Sequence, residues 1–194
     1  MLATLSHASV GRNSVADDGM LNRVDDEPNI AFDASDFNVC FVGYECIKKV
    51  FEIYENTADK KSTQMIFCDL STPKNDGTFS VYDDIKEKLL LNGVKESEIK
   101  FIHEADTDEK KEKMFAAVRR GEVRILLGST QKMGAGTNAQ TRLIALHHID
   151  CPYRPSDLSQ REGRIVRQGN TNPEVQIYQY VTKNSFDAYY LNSM

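Results

Sequence analysis

The segment Gln160 to Gly169 reads Q-R-E-G-R-I-V-R-Q-G, with three guanidinium groups in ten residues. On a helix, Arg161, Arg164 and Arg167 fall at successive spacings of three and form a cationic row along one side. Asp157, four residues before Arg161, can pair with it. At the three- and four-residue offsets Arg164 meets Gln160, Arg161, Arg167 and Gln168, whereas Arg167 meets Gly163, Arg164, Asn170 and Thr171. Neither has a local carboxylate. Like charges at these offsets repel, and Gly163 inside a helix costs about 1 kcal/mol relative to Ala. Compensation must come from outside the helix, and a polyanion suits it, because guanidinium binds phosphate bidentately and keeps its charge at any working pH. The plainer alternative is a solvated basic face with distant acidic partners.

A second segment, Gly128 to Gln140, reads G-S-T-Q-K-M-G-A-G-T-N-A-Q directly after the apolar run Val123 to Leu127. Glycines there let backbone N–H groups approach phosphate, and Ser129 and Thr130 add hydroxyl donors. Equally, glycines after a strand can simply make a turn. The chain has no G-x-x-x-x-G-K followed by Ser or Thr, since Lys132 precedes Gly134 and Gly136. It also lacks a recognisable metal-holding Asp-Glu pair after a strand. Alone, it is not expected to hydrolyse ATP.

The elements that must position these segments alternate regularly. Val39, Val42, Cys46, Val50, Phe51 and Tyr54 recur at helical spacing within an amphipathic helix over 37–56. Apolar runs at Met65 to Cys68, Ile99 to His103, Val123 to Leu127, Leu143 to His148 and Val175 to Val181 read as strands. Helices are expected at Val81 to Asn92, from Asp106 or Thr107 to Arg120 with Gly121 as C-cap, at Pro155 to Gln168, and from Asn184 onward. Such alternation implies an α/β fold, a doubly wound and mainly parallel sheet with helices on both faces. Ligands bind such sheets beyond the carboxyl ends of the strands, here after Cys68, Leu127 and His148.

At 194 residues the chain suits one domain. Residues 1–36, rich in Asp, Asn, Ser and Gly, are expected to have little fixed structure, leaving a domain over 37–194 with its core at 64–184. With no apolar run of membrane length and no export-type start, the default expectation is a cytoplasmic protein with no membrane contact. Cys40, Cys46, Cys68 and Cys151 are irregularly spaced and read as reduced and mostly buried. His7, His103, His147 and His148 form no constellation, and the doublet reads as a strand edge, so no metal is expected on this chain. A net charge of −5 argues against a protein that coats nucleic acid. From Arg119 to Asn170, however, nine Lys or Arg face four Asp or Glu, which suggests a basic face on an acidic body. Lys110, Lys111 and Lys113 with Glu109 and Glu112 read as a solvated helix face, and Tyr178, Tyr180, Tyr189 and Tyr190 as packing.

Taken together, the two segments resemble motifs V and VI of superfamily 2 helicases, and more closely those of the Swi/Snf-type translocase branch. Ser129, Thr130, Gly134, Gly136 and Asn138 match S-T-x-x-x-G-x-G-x-N, and Gln160, Arg164, Arg167 and Gly169 match Q-x-x-x-R-x-x-R-x-G. Asp150 and Pro152 fit the D-x-P turn, and Gln64 to Pro73 resembles motif IV. The overall likeness is to the helicase portion of helicase and adenine-methylase fusion proteins of bacterial mobile elements, although no methylase motif is present.

The resemblance implies the C-terminal, RecA-like lobe of an ATP-dependent DNA helicase or translocase. Arg164 and Arg167 would be arginine fingers reaching ATP with Mg2+, both held mainly by an N-terminal RecA-like lobe. Gly134, Gly136, Asn138 and Gln160 would border that nucleotide. Ser71, Thr72, Ser129, Thr130 and Lys132 would touch a nucleic-acid backbone, duplex DNA by analogy. Gln131, Lys132 and Met133 depart from the branch pattern within motif V. The run Ser185 to Tyr190 resembles the opening of a last helix cut short at Met194. The competing reading is a non-catalytic, helicase-derived module that binds nucleic acid or protein. A free-standing nucleotide-binding enzyme would need its own phosphate loop or catalytic dyad, and neither is found.

Overall fold

A computed structural model describes residues 2–10, 34–70, 72–73, 79–134, 138–152 and 154–182. Six strands, β1 (Leu2–Val10), β2 (Thr63–Phe67), β3 (Ile99–Phe101), β4 (Ile125–Gly128), β5 (Leu143–His148) and β6 (Glu174–Thr182), form one sheet in the order β1-β6-β5-β2-β4-β3. Every pairing is parallel. Helices α1 (Ala34–Asn56), α2 (Val81–Leu91), α3 (Asp108–Arg120), α4 (Thr130–Gly134) and α5 (Pro155–Glu162) lie between the strands.

The central strands are buried along their whole length, as a sheet covered on both faces requires. Alternate residues of β2 and the Cys68 that follows it feed two cores. Ile66 and Cys68 pack with Val50 of α1 and Tyr82, Ile85 and Leu89 of α2, whereas Met65 and Phe67 pack with Phe115 and Val118 of α3, Met133 of α4 and Ile165. The sheet is therefore the doubly wound α/β architecture that the sequence implied. Local signals set the helix ends as read: Thr107 caps α3 by accepting a hydrogen bond from the Lys110 N–H, and Gly121 closes it at φ 73°.

Several expectations need correction. The strand at Ile99 stops at Phe101, and Ile102–Glu104 form a 3-10 turn. β1 overturns the expectation of little fixed structure for residues 2–10, because it pairs with β6 from Leu2 opposite Glu174 to Val10 opposite Thr182. The helix begun at Pro155 ends at Glu162 rather than Gln168. Beyond it Ile165 must reach the core, where it is fully buried, while Val166 stays exposed, and a continued helix would have kept the arginine row instead. The last helix expected from Asn184 lies outside the described residues.

The histidine doublet ends β5, an interior strand, and both rings are buried. Gln64 donates its Nε2 to the Val50 carbonyl at 2.9 Å, so its Oε1 accepts from His147 Nε2 at 3.0 Å. His147 Nδ1 must then accept from the Tyr180 hydroxyl at 2.8 Å, which fixes a neutral tautomer. Burial pushes His147 down to about 3. Cys46 and Cys68 are free and buried, and Cys151 is free and half-buried. No helix among the described residues is long and apolar enough to cross a membrane.

Candidate functional site

Three loops leave the carboxyl ends of the neighbouring strands β4, β2 and β5, and each carries a polar residue within two positions of the strand end. Ser129 and Thr130 follow β4, Asp69 follows β2, and Asp150 follows β5. Arg161 of α5 enters among them with 1% of its surface exposed. Pro155 opens α5 in its first turn, after an extended Arg154.

All five N–H directions of Arg161 are used. Its Nε donates to Thr130 Oγ1 at 2.7 Å, and one terminal nitrogen donates to Asp69 Oδ2 at 2.7 Å and Asp150 Oδ1 at 2.9 Å. The other reaches the Asp150 carbonyl at 3.2 Å and His148 Nδ1 at 3.4 Å. Thr130 donates its N–H to Asp69 Oδ1 at 2.6 Å and its hydroxyl to Asp69 Oδ2 at 2.7 Å. Asp150 Oδ2 accepts from the N–H groups of Asp69 and Leu70. One buried cation thus faces two carboxylates, and backbone donors carry the remaining negative charge.

Burial raises the Asp150 carboxyl above its ordinary value; the Arg161 charge opposes this and Asp69 adds to it. Burial, then the charges of Arg161 and His147, hold His148 neutral, down to about 3. The guanidinium also lies 5.2 Å from the centre of the Phe67 ring. Asp157 is not the partner of Arg161, and the row of three arginines does not exist.

Beside this cluster opens a cleft of about 740 Å³, lined by Asp69, Thr72, His103, Ser129, Thr130, Gln131, Lys132, Arg154, Asp157 and Gln160. It gathers Thr72, Ser129, Thr130, Lys132 and Gln160 from the sequence-derived set. Ser71 and Gly136 lie outside the described residues. Gly134 ends α4, and Asn138 is exposed, its carbonyl accepting from Arg119. Gly128 is a packing position rather than part of a phosphate cradle, for a Cβ there would come within 2.5 Å of Ile102 and 2.7 Å of Met133.

Arg164 and Arg167 are on the turn after α5, and neither lines that cleft. The Arg161 carbonyl accepts the Arg164 N–H at 3.1 Å, and Asn170 secures the turn through the carbonyls of Ile165 and Leu143. Arg164 is half-buried, and its Nε is buried without a hydrogen-bond partner among the described residues. Burial, then the neighbouring Arg167 charge, lowers its pKa. Arg167 is exposed and lines a hollow of about 630 Å³ with Gln168, Asn170 and Asn172.

Sequence reasoning missed the Arg161 cluster. Its available signal was an acid just past each of two apolar runs, Asp69 and Asp150, but adjacency of β2 and β5 is a fact of topology.

The parallel sheet, the polar loops past the carboxyl ends of its strands and the arginine-bearing turn after α5 make up an α/β domain with its candidate site at the strand ends. Residues 45–169 match the helicase conserved C-terminal domain, and the chain belongs to that family. Over 83 residues it is 31% identical to defense against restriction protein B of Escherichia phage P1, which amounts to 43% of this chain and 4% of that protein. Among solved structures, the C-terminal part of the Fun30 ATPase domain aligns at 20% identity and a TM-score of 0.56, over 77% of this chain and 44% of that one. The DUF1998 helicase MrfA bound to DNA aligns at 13% identity and a TM-score of 0.54, over 75% and 19%. These structural likenesses are likenesses of fold. The chain spans under half the length of each of these proteins.

Proposed function

We propose that this lobe completes an ATP-driven DNA helicase or translocase of the Swi/Snf type by presenting Arg164 and Arg167 to ATP held by an N-terminal RecA-like lobe. The observation that carries this reading is the state of Arg164. It is a half-buried guanidinium whose Nε has no hydrogen-bond partner among the described residues, next to a second cation, on a turn held by Asn170. Such a group is costly until an anion meets it, and a triphosphate fits that need. ATP with Mg2+ supplies the transferable phosphoryl group and the charge that develops during transfer. Arg164 and Arg167 then stabilise that charge, a role worth about 10³ to 10⁵ in rate. In this reading the Mg2+ ligands come from the partner lobe, since Asp69 and Asp150 on this chain are engaged by Arg161.

The cleft takes the nucleic-acid backbone in this reading, with Thr72, Ser129 and Lys132 as contacts. Lys132 is exposed there, and Ser129 Oγ accepts only a long 3.3 Å bond from the Lys132 N–H, leaving its own proton to donate. Duplex DNA is the substrate favoured by the resemblance of the motifs, and MrfA, of like fold, is bound to DNA.

The test is DNA-stimulated ATP hydrolysis by this chain combined with a polypeptide supplying the N-terminal lobe. Hydrolysis is expected to need both parts and to fall by about 10³ or more in Arg164→Ala and Arg167→Ala. Absence of hydrolysis from the pair, or its persistence in the arginine variants, would leave a non-catalytic binding module as the better account.

A further inference from the structure

Thr130 stands in the wall of the cleft, where a hydroxyl is a natural donor to phosphate. Its bonding is already complete. The single hydroxyl proton goes to Asp69 Oδ2 at 2.7 Å, the oxygen accepts from Arg161 Nε at 2.7 Å, and the N–H goes to Asp69 Oδ1 at 2.6 Å. A phosphate at Thr130 would have to take that proton from a carboxylate and would meet the carboxylate's charge. Ser129, one residue earlier, has no such engagement of its proton.

From Thr130 the contacts run without a break to the finger turn. Asp69 and Thr130 grip the Arg161 side chain, and the Arg161 carbonyl accepts the Arg164 N–H at 3.1 Å. Gly163 donates to the Ser159 carbonyl at 2.9 Å and Ile165 to the Glu162 carbonyl at 3.1 Å, so the turn cannot shift without moving α5. Arg161 is fully ordered by its five donors, and a buried, saturated guanidinium tolerates few alternative positions.

We propose that Thr130 is a positioning residue rather than a phosphate contact: with Asp69 it locks Arg161, and through Arg161 it sets the Arg164 turn according to the state of the cleft loop. The inference rests on the motor reading above. Spatial continuity alone does not demonstrate coupling, so the test separates binding from turnover.

On this chain alone, the Kd for a short duplex DNA is measured across salt concentrations. Thr130→Val is expected to stay within about threefold of wild type, because no phosphate contact is lost. In the two-lobe complex at saturating DNA, the same variant is expected to lower kcat about tenfold, with Thr130→Ser restoring it. Asp69→Asn, at a residue exposed enough to tolerate the change, is expected to repeat the pattern if Thr130→Val does not fold. A Kd raised tenfold or more with kcat at saturation unchanged makes Thr130 a phosphate contact and overturns the proposal. So does unchanged kcat in both variants. A wild-type complex that never hydrolyses ATP is a different result, for it removes the motor reading first and this inference with it.

Discussion

Replacing Arg161 by Met keeps an unbranched apolar stem against Phe67 and deletes the cation. Asp69 and Asp150 are then left facing each other without their common partner. Breaking a buried pair from one side costs about 3–5 kcal/mol. The Asp69 side chain is 38% exposed, so water screens much of its share, whereas Asp150, 7% exposed, bears the full desolvation. The lower end, about 3 kcal/mol near neutral pH, is therefore expected, or a Tm lower by about 10 °C for a domain of this size.

The loss has a pH signature. Burial already raises the Asp150 carboxyl, and Arg161 is the main influence holding it down. A carboxyl with a native pKa above its unfolded value binds more protons when folded, so its stability contribution is lost as pH rises through that window and regained as pH falls. Without Arg161 the window widens upward. His148, which Arg161 also holds down, changes in the same sense. Urea unfolding of both proteins at about pH 7.5 and about pH 5.5 measures this directly, and the deficit of Arg161→Met should shrink at the lower pH. A deficit below about 1 kcal/mol, or one that is equal or larger in acid, would refute the account of the cluster.

Two further expectations concern the scaffold. Gly128→Ala places a methyl against Ile102 and Met133, both fully buried, and should cost about 1–3 kcal/mol; an unchanged Tm would mean that this packing yields freely. His147 and His148, held down to about 3, contribute stability that is present above about pH 6.5 and lost as pH falls, on the order of 2 kcal/mol each by about pH 5. NMR titration should keep both rings neutral at about pH 5, and a midpoint near the ordinary imidazole value would contradict their burial.

Much of this was legible from local pattern. Alternation of apolar runs and amphipathic stretches is enough to imply a two-faced parallel sheet, because only such a sheet buries strands with no polar side. Thr107 and Gly121 marked both ends of α3, since capping is a matter of neighbouring residues. The motif spacings around Ser129 and Arg164 led to the right family. The end of α5 was misread because nothing between Glu162 and Gln168 breaks a helix outright. Ile165 decides it, by its place in a core built from distant residues.

Local pattern sufficed for the alternation of strands and helices from Met65 to Val181, the family and the positions of the charged and glycine-bearing loops, because each depends on interactions within a few residues. The separate roles of the three arginines come from packing between distant strands. Arg161, Arg164 and Arg167 share one spacing pattern, yet the first is saturated by Asp69, Asp150 and Thr130 while the Nε of the second has no partner among the described residues. The physical reason is that β2, β4 and β5 are sequence-distant strands laid side by side, so the carboxylates that claim Arg161 arrive from 92 and 11 residues away.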